Sequence, residues 1–270
     1  MPELPEVEVV RQVLHQNIVG KRIQKIECFY PPIIENELSE FITHLENQRI
    51  TDIKRYAKYL IFIFDTGAMI SHLRMEGKYF YVKEEQDIMP HVHVVFHLDN
   101  QYKLFYQDTR KFGRMLYKPI SEVYTTLPIL KIGVEANSSL YNLRELHQKI
   151  QKKKISIKEI LLDQTIISGL GNIYVDEVLY ACGISPLRKG NELQEEDVFN
   201  IMQKSTEILN KAIALKGTTI RTYTSSLGVE GGFQNFLQVH TKINCPKCDG
   251  LLSKIKIGGR TSYYCSKCQR

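Results

Sequence analysis

Tyr59-Leu60-Ile61-Phe62-Ile63-Phe64 is an unbroken apolar run of aromatic and branched side chains, and its reading decides the fold of the first half of the chain. Such a run between turn signals reads as a strand. Three more follow: Lys78-Tyr-Phe-Tyr-Val82, His91-Val-His-Val-Val-Phe-His-Leu98 and Tyr102-Lys-Leu-Phe-Tyr106. Asp65-Thr-Gly67 and Asp99-Asn100 supply the turns between them. The strand-like pattern extends from Ile50 to about Tyr117 and predicts an antiparallel sandwich or barrel.

Upstream of it the chain opens Pro2-Glu3-Leu4-Pro5-Glu6-Val7. Pro5 suits the first turn of a helix, where its missing N–H is an orphan anyway. Val7, Val10 and Leu14 then form an apolar stripe, so a helix is expected against the edge of the sheets. Removal of Met1 would leave Pro2 a free secondary amine, and a secondary amine attacking an aldehyde-level carbon gives an iminium ion with no N–H proton to lose. Glu3, one residue on, is placed to protonate a leaving group or hold a sugar ring open. Chains also start Met-Pro, and helices start Pro-Glu, without any chemistry, so the hexapeptide alone leaves both readings open.

At the other end stand two knuckles, Cys245-Pro-Lys-Cys248 and Cys265-Ser-Lys-Cys268, separated by 16 residues. Four thiolates at that spacing suit one tetrahedral structural zinc; a pair of disulfides is the alternative. Cys28 and Cys182 are isolated in apolar segments and read as buried thiols. Neither a signal peptide nor an apolar run of about 18 residues is present, so a soluble, reducing compartment is expected.

The chain carries 36 Lys and Arg against 30 Asp and Glu, a net of +6. Residues 241–270 hold seven basic side chains against Asp249, so the preceding 240 residues balance at 29 of each sign. One zinc on four thiolates subtracts two charges and leaves the finger at about +4, a patch for phosphate. Zinc ribbons also dock proteins, and the finger alone does not separate the roles.

Between the ends, residues Lys118 to Asn142 read as a connection, after which the period turns helical. Helices are expected around 143–150, from Ile155 to Leu162, from near Asn172, and from Gln194 to Ala214. The turn Ser168-Gly-Leu-Gly171 allows close backbone approach, and amides at the following helix start can hold a phosphate. Asn172 is a candidate cap for that helix or a donor to the same phosphate, and Lys152, Lys153, Lys154 and Lys158 supply positive charge. A glycine cap with no ligand fits the turn equally well.

Pro-Glu-Leu-Pro-Glu-Val-Glu at the start, Gly-Leu-Gly-Asn-Ile-Tyr-Val-Asp-Glu in the middle and Gly259-Arg-Thr-Ser-Tyr-Tyr-Cys-Ser-Lys-Cys-Gln269 at the end together resemble bacterial formamidopyrimidine-DNA glycosylase, in that order and over the full chain. The resemblance implies an α+β protein with three domains: an N-terminal helix and antiparallel β-sandwich (1–130), a helical domain with a helix–two-turn–helix DNA-binding motif (131–240) and a four-cysteine zinc finger (241–270). It implies a bifunctional enzyme that excises oxidised purines, 8-oxoguanine and formamidopyrimidines, from double-stranded DNA opposite cytosine and cuts the abasic strand by β,δ-elimination.

Residue by residue, the resemblance makes Pro2 the nucleophile and Glu3 the acid. It makes Lys58 the lysine that assists β-elimination, and Arg260 the finger arginine linked to δ-elimination. Met75 matches the side chain that fills the void left by a flipped base, and Arg110 and Phe112 match the loop that reads and wedges beside the orphaned cytosine. His91, Lys154 and Asn172 match DNA contacts, and Cys245, Cys248, Cys265 and Cys268 the ligands of one structural Zn2+. Taken without the resemblance, Lys58 reads as a solvated lysine and Met75 as core. The alternation His91-Val-His93 lacks a third metal ligand at fitting spacing.

Thr218 to Gly232 corresponds to a loop that closes on the flipped base. His240 stands where the family usually has tyrosine in a phosphate-contacting position. A cytoplasmic bacterial monomer, bound to DNA and to no membrane, completes the expectation. The related endonuclease VIII type opens Pro-Glu-Gly-Pro-Glu, against which Leu4 argues. A non-catalytic damage-binding protein would be indifferent to a blocked Pro2, and a zinc-ribbon interaction module would leave the opening hexapeptide unexplained.

Overall fold

The computed structural model describes residues 1–218 and 231–270, and the protein is α+β. It divides into two compact units, Met1–Leu130 with Thr218–Gly231, and Lys131–Gly217 with Gly232–Arg270.

In the first unit helix α1 (Leu4–Ile18) precedes β1 (Ile23–Cys28), α2 (Leu38–Leu45) and seven further strands. These are β2 (Ile50–Tyr56), β3 (Tyr59–Phe64), β4 (Gly67–His72), β5 (Lys78–Lys83), β6 (Val92–Leu98), β7 (Tyr102–Gln107) and β8 (Arg114–Pro119). They form two four-stranded antiparallel sheets, ordered β1-β6-β7-β5 and β2-β3-β4-β8. The core between them holds Phe62, Tyr79, Phe96 and Tyr106, and α1 adds Val7, Val10, Leu14 and Ile18 to it. Each such side chain contributes roughly 1.5–3 kcal/mol on burial. Helix α1 packs on β2, β3 and β5, so it lies along the edge strand of each sheet, and its amino terminus is thereby held in the first unit's interior. The strand β1 and the helix α2 fall outside the strand-like stretch recognised from Ile50 onward.

In the second unit a short parallel pair, β9 (Val134–Glu135) with β10 (Ile167–Ser168), gives structure to part of the expected connection. The helices are α3 (Leu143–Gln151), α4 (Ile157–Leu162), α5 (Asn172–Cys182) and α6 (Glu195–Ala214), followed by the hairpin β11 (Ser253–Ile257) and β12 (Arg260–Tyr264). Helix α5 is nearly all buried and packs on α4, α6 and β12. Its cap is Gly171 rather than Asn172, which occupies the first helical position, and Gly169 at φ +97° makes the turn before it. Lys158 is a second correction: it is fully enclosed and adds nothing to a surface patch. Cys28 and Cys182 are half-buried, and burial raises the Cys182 thiol to about 12. No helix among the described residues is long and apolar enough to cross a membrane.

Candidate active site and nucleic-acid interface

In the first unit Pro2 and Glu3 are buried at the start of α1, and Glu3 caps the helix in extended conformation. The Glu3 N–H donates to Glu6 Oε2 at 2.9 Å, and Glu6 Oε1 accepts from the N–H and hydroxyl of Thr218 at 2.8 and 3.0 Å. The loop expected over Thr218–Gly232 otherwise falls mainly on residues 219–230, outside the described residues. Burial lowers the α-amine of Met1 below its ordinary 8.0; Lys58 pushes the same way, while Glu3, Glu6 and Glu76 oppose. The Met1 amine is thus biased toward its unprotonated form.

Lys58 is 4% exposed, which rules out the solvated lysine. It is the second residue of the two-residue turn between β2 and β3, where Tyr56 pairs with Tyr59. The first, Ala57, stands at φ +52°, a conformation that costs a non-glycine residue roughly 1–2 kcal/mol. Arg55 braces this turn: its guanidinium donates to Ala57 O at 2.9 Å and pairs with Glu8 of α1 at 3.0 Å. Neither Glu8 nor Arg55 was marked by the sequence, because each reads as an ordinary surface charge.

Met75 is 37% and Phe112 47% exposed, so Met75 is not core. With Met1, Arg74 and Arg114 they bound a cavity of about 350 Å³. The loop carrying Arg110 and Phe112 is organised by buried Asp108, whose carboxylate accepts from the N–H groups of Arg110, Phe112 and Gly113 at 3.0, 2.9 and 2.8 Å. The Arg110 guanidinium lies 4.8 Å from the Phe112 ring centroid, so the two exposed side chains present one planar, cationic edge. An Asp ahead of a turn ending in Gly113 is a signal that could have revealed this. His91, at φ +65°, is exposed, whereas His93 is buried with Nε2 2.9 Å from Asp108 O. His72 is also buried: Nδ1 accepts from Arg74 N at 2.9 Å, and desolvation, reinforced by Arg74 and Lys58, lowers its pKa to about 3.

In the second unit Lys154 is exposed between α3 and α4. Asn172 is half-buried and its Nδ2 donates to Thr261 O at 2.9 Å, so it links α5 to the finger hairpin. Exposed Arg260 opens β12 directly after Gly258 and Gly259, whose φ values are +53° and +75°. Thus α5's amide-rich start, Asn172 and the root of Arg260 converge on one hairpin, an arrangement suited to a phosphate.

The four finger cysteines have their sulfurs within 4.8 Å of one another, with Cys245 and Cys268 at 3.8 Å and Cys248 and Cys265 at 3.6 Å. Sulfurs at about 2.3 Å from a tetrahedral zinc stand about 3.8 Å apart, whereas a disulfide needs about 2.05 Å. The donor set fits zinc, and no pair among the four is a disulfide.

The first unit is thus a β-sandwich with Pro2 and Glu3 buried at the start of its helix, and the second a helical unit with a thiolate finger that suits one zinc. The family model for the formamidopyrimidine-DNA glycosylase N-terminal domain matches residues 1–115, that for its H2TH domain residues 132–224, and that for the zinc finger found in FPG and IleRS residues 244–270. The formamidopyrimidine-DNA glycosylases of Streptococcus pneumoniae and Mycoplasma mobile are 42% and 45% identical to the chain, over 100% of it and 99% of each relative. Lactococcus lactis Fpg, solved with DNA containing an abasic site, superposes at TM-score 0.94 with 39% identity, and MutM with carbocyclic 8-oxo-G DNA at 0.93 with 38%, both over 100% of each chain. The chain belongs to the formamidopyrimidine-DNA glycosylase family. It is a DNA-binding enzyme of base-excision repair, a DNA glycosylase and abasic-site lyase with one structural zinc.

Proposed function

We propose that the enzyme removes oxidised purines, 8-oxoguanine and formamidopyrimidines, opposite cytosine through a covalent intermediate on Pro2, and acts as a monomer. The carrying observation is the first unit's amino terminus: Pro2 and Glu3 are buried at the start of α1, and Lys58, itself 4% exposed, acts on the α-amine beside them. Once Met1 is removed, the Pro2 nitrogen attacks C1′, the glycosidic bond breaks and the base departs, while Glu3 protonates the ring oxygen and opens the sugar. The resulting iminium acidifies the C2′ hydrogen. Loss of that proton, assisted by Lys58, expels the 3′ phosphate; a second elimination, assisted by Arg260, expels the 5′ phosphate, and water then releases Pro2.

Recognition follows from the exposed groups. Met75 fills the place of the flipped base, Phe112 wedges beside its former partner, and Arg110 donates to that partner's acceptor edge. His91, Lys154 and Asn172 hold phosphates. The work is that of a bacterial cytoplasmic enzyme. The domain limits that serve it are residues 1–130, 131–240 and 241–270, with catalysis, helix–two-turn–helix and finger in turn.

Borohydride trapping on a duplex carrying 8-oxoguanine opposite cytosine, with mass spectrometry of the adduct, tests this reading. An adduct on the residue-2 amine of the Met1-free chain is expected. An adduct on Lys58 instead, or base release from processed protein with nothing trapped, overturns it.

A further inference from the structure

Asp176 of α5 is enclosed, and its carboxylate is committed on both oxygens. Oδ1 takes Lys158 Nζ of α4 at 2.6 Å, and both side chains are entirely shielded from solvent. Oδ2 faces His240 Nδ1 at 2.8 Å and accepts the Tyr263 N–H at 3.2 Å. Lys158 Nζ donates in addition to Thr261 O at 3.2 Å, the carbonyl that also receives Asn172 Nδ2. Residues one and three positions beyond Arg260 are therefore tied to α4 and α5 by a single buried ion pair.

Stability is a weak reason for this pair. An apolar pair of similar volume is often as stabilising as a buried salt bridge, because desolvation offsets the attraction. What an apolar pair does not do is bind Thr261 O and Tyr263 N. Asn172 points the same way: its Nδ2 donates to the same Thr261 carbonyl, a second tie from α5 to the hairpin.

We infer that Asp176, with Lys158 as its counter-ion, is a positioning residue for Arg260, setting the hairpin from which that guanidinium reaches a phosphate. The inference rests on the reading of Arg260 in the second elimination. A long side chain on a loose root samples many placements, and misplacement by about 1 Å can cost a reaction roughly a hundredfold.

The test uses full-length, zinc-loaded enzyme on a duplex with an abasic site, scoring β- against δ-elimination products in single turnover. Three variants are compared: Arg260→Ala, Asp176→Asn, and the charge-free double variant Lys158→Met with Asp176→Leu, which keeps the core packed if Asp176→Asn fails to fold. In the two variants that alter Asp176, zinc content and base release from 8-oxoguanine serve as readouts that hairpin placement alone leaves within about twofold. The expected result is β-product accumulation in all three, with the β-to-δ ratio up roughly tenfold or more, and no further change on combining Arg260→Ala with Asp176→Asn. If Arg260→Ala stops at β while the zinc-loaded double variant keeps the wild-type ratio, the inference alone is overturned. If Arg260→Ala itself leaves δ-elimination intact, the reading of Arg260 falls and the inference with it.

Discussion

Two hairpin turns carry the two candidate phosphate-directed cations, and they are built in opposite ways. Lys58 sits in a turn whose left-handed position is filled by Ala57, and the side chain is buried. Arg260 follows a turn whose left-handed positions are both glycine, and it is exposed. A two-residue hairpin wants glycine or asparagine where φ is positive. The Lys58 turn departs from that rule and is held by tertiary contacts: Arg55 grips Ala57 O, and Glu8 of α1 grips Arg55. The finger hairpin, with less core around it, uses residues that need no such compensation. Strain is tolerated where a packed helix stands behind the turn, and avoided where a metal and a few buried polar bonds do the holding.

Stripping the metal should have the largest effect and should separate the two turns. Ligand-bound zinc contributes folding free energy outright, so chelation unfolds the finger and leaves the Lys58 turn intact. The expected outcome is a loss of DNA affinity of roughly tenfold or more, with the first unit's near-ultraviolet dichroism unchanged. Unchanged affinity after verified zinc loss would count against a DNA-contacting finger.

Acid should then act on the first unit. Because His72 is held near 3 against its ordinary 6.5, the unfolded chain takes the proton first. Stability therefore falls as pH drops below about 6.5 and levels below about 3, with a total on the order of 3–5 kcal/mol. Replacing His72 by Asn should flatten urea-derived stability across that window; an equally steep slope in the variant would remove His72 as the cause.

Next in size is Gly258→Ala. Its φ of +53° disfavours a side chain, and a new Cβ would stand 2.9 Å from Glu159 Cγ, whose carboxylate is held by Ser156 at 2.7 Å. A loss of about 2–3 kcal/mol is expected, against about 1 kcal/mol for Gly259→Ala, whose Cβ meets open space. Equal thermal melts for the two variants would show that the contact is inconsequential. The smallest effect belongs to Ala57→Gly, which relieves the left-handed alanine and should raise stability by up to about 1 kcal/mol, partly offset by glycine's freedom in the unfolded chain. Destabilisation would mean that the methyl group packs usefully.

The finger and the strands were readable from sequence for physical reasons that are local. Four thiolates at short spacing have few other uses, and the apolar run Tyr59–Phe64 cannot remain in water. The opening hexapeptide and the Gly-Leu-Gly turn were equally legible as motifs, because glycine and proline act on their own residue's backbone.

Burial and partnership were not legible. Lys152, Lys153, Lys154 and Lys158 are one basic cluster in sequence, yet Lys158 is enclosed because Asp176, 18 residues away, meets it inside the fold. Asp108, His72 and Glu8 are likewise ordinary polar residues until the loops and strands they organise close around them. Local chemistry determined which residues could react, ligate or turn the chain. The tertiary structure decided which charges leave water, since desolvation and long-range pairing depend on neighbours that only the folded chain brings together.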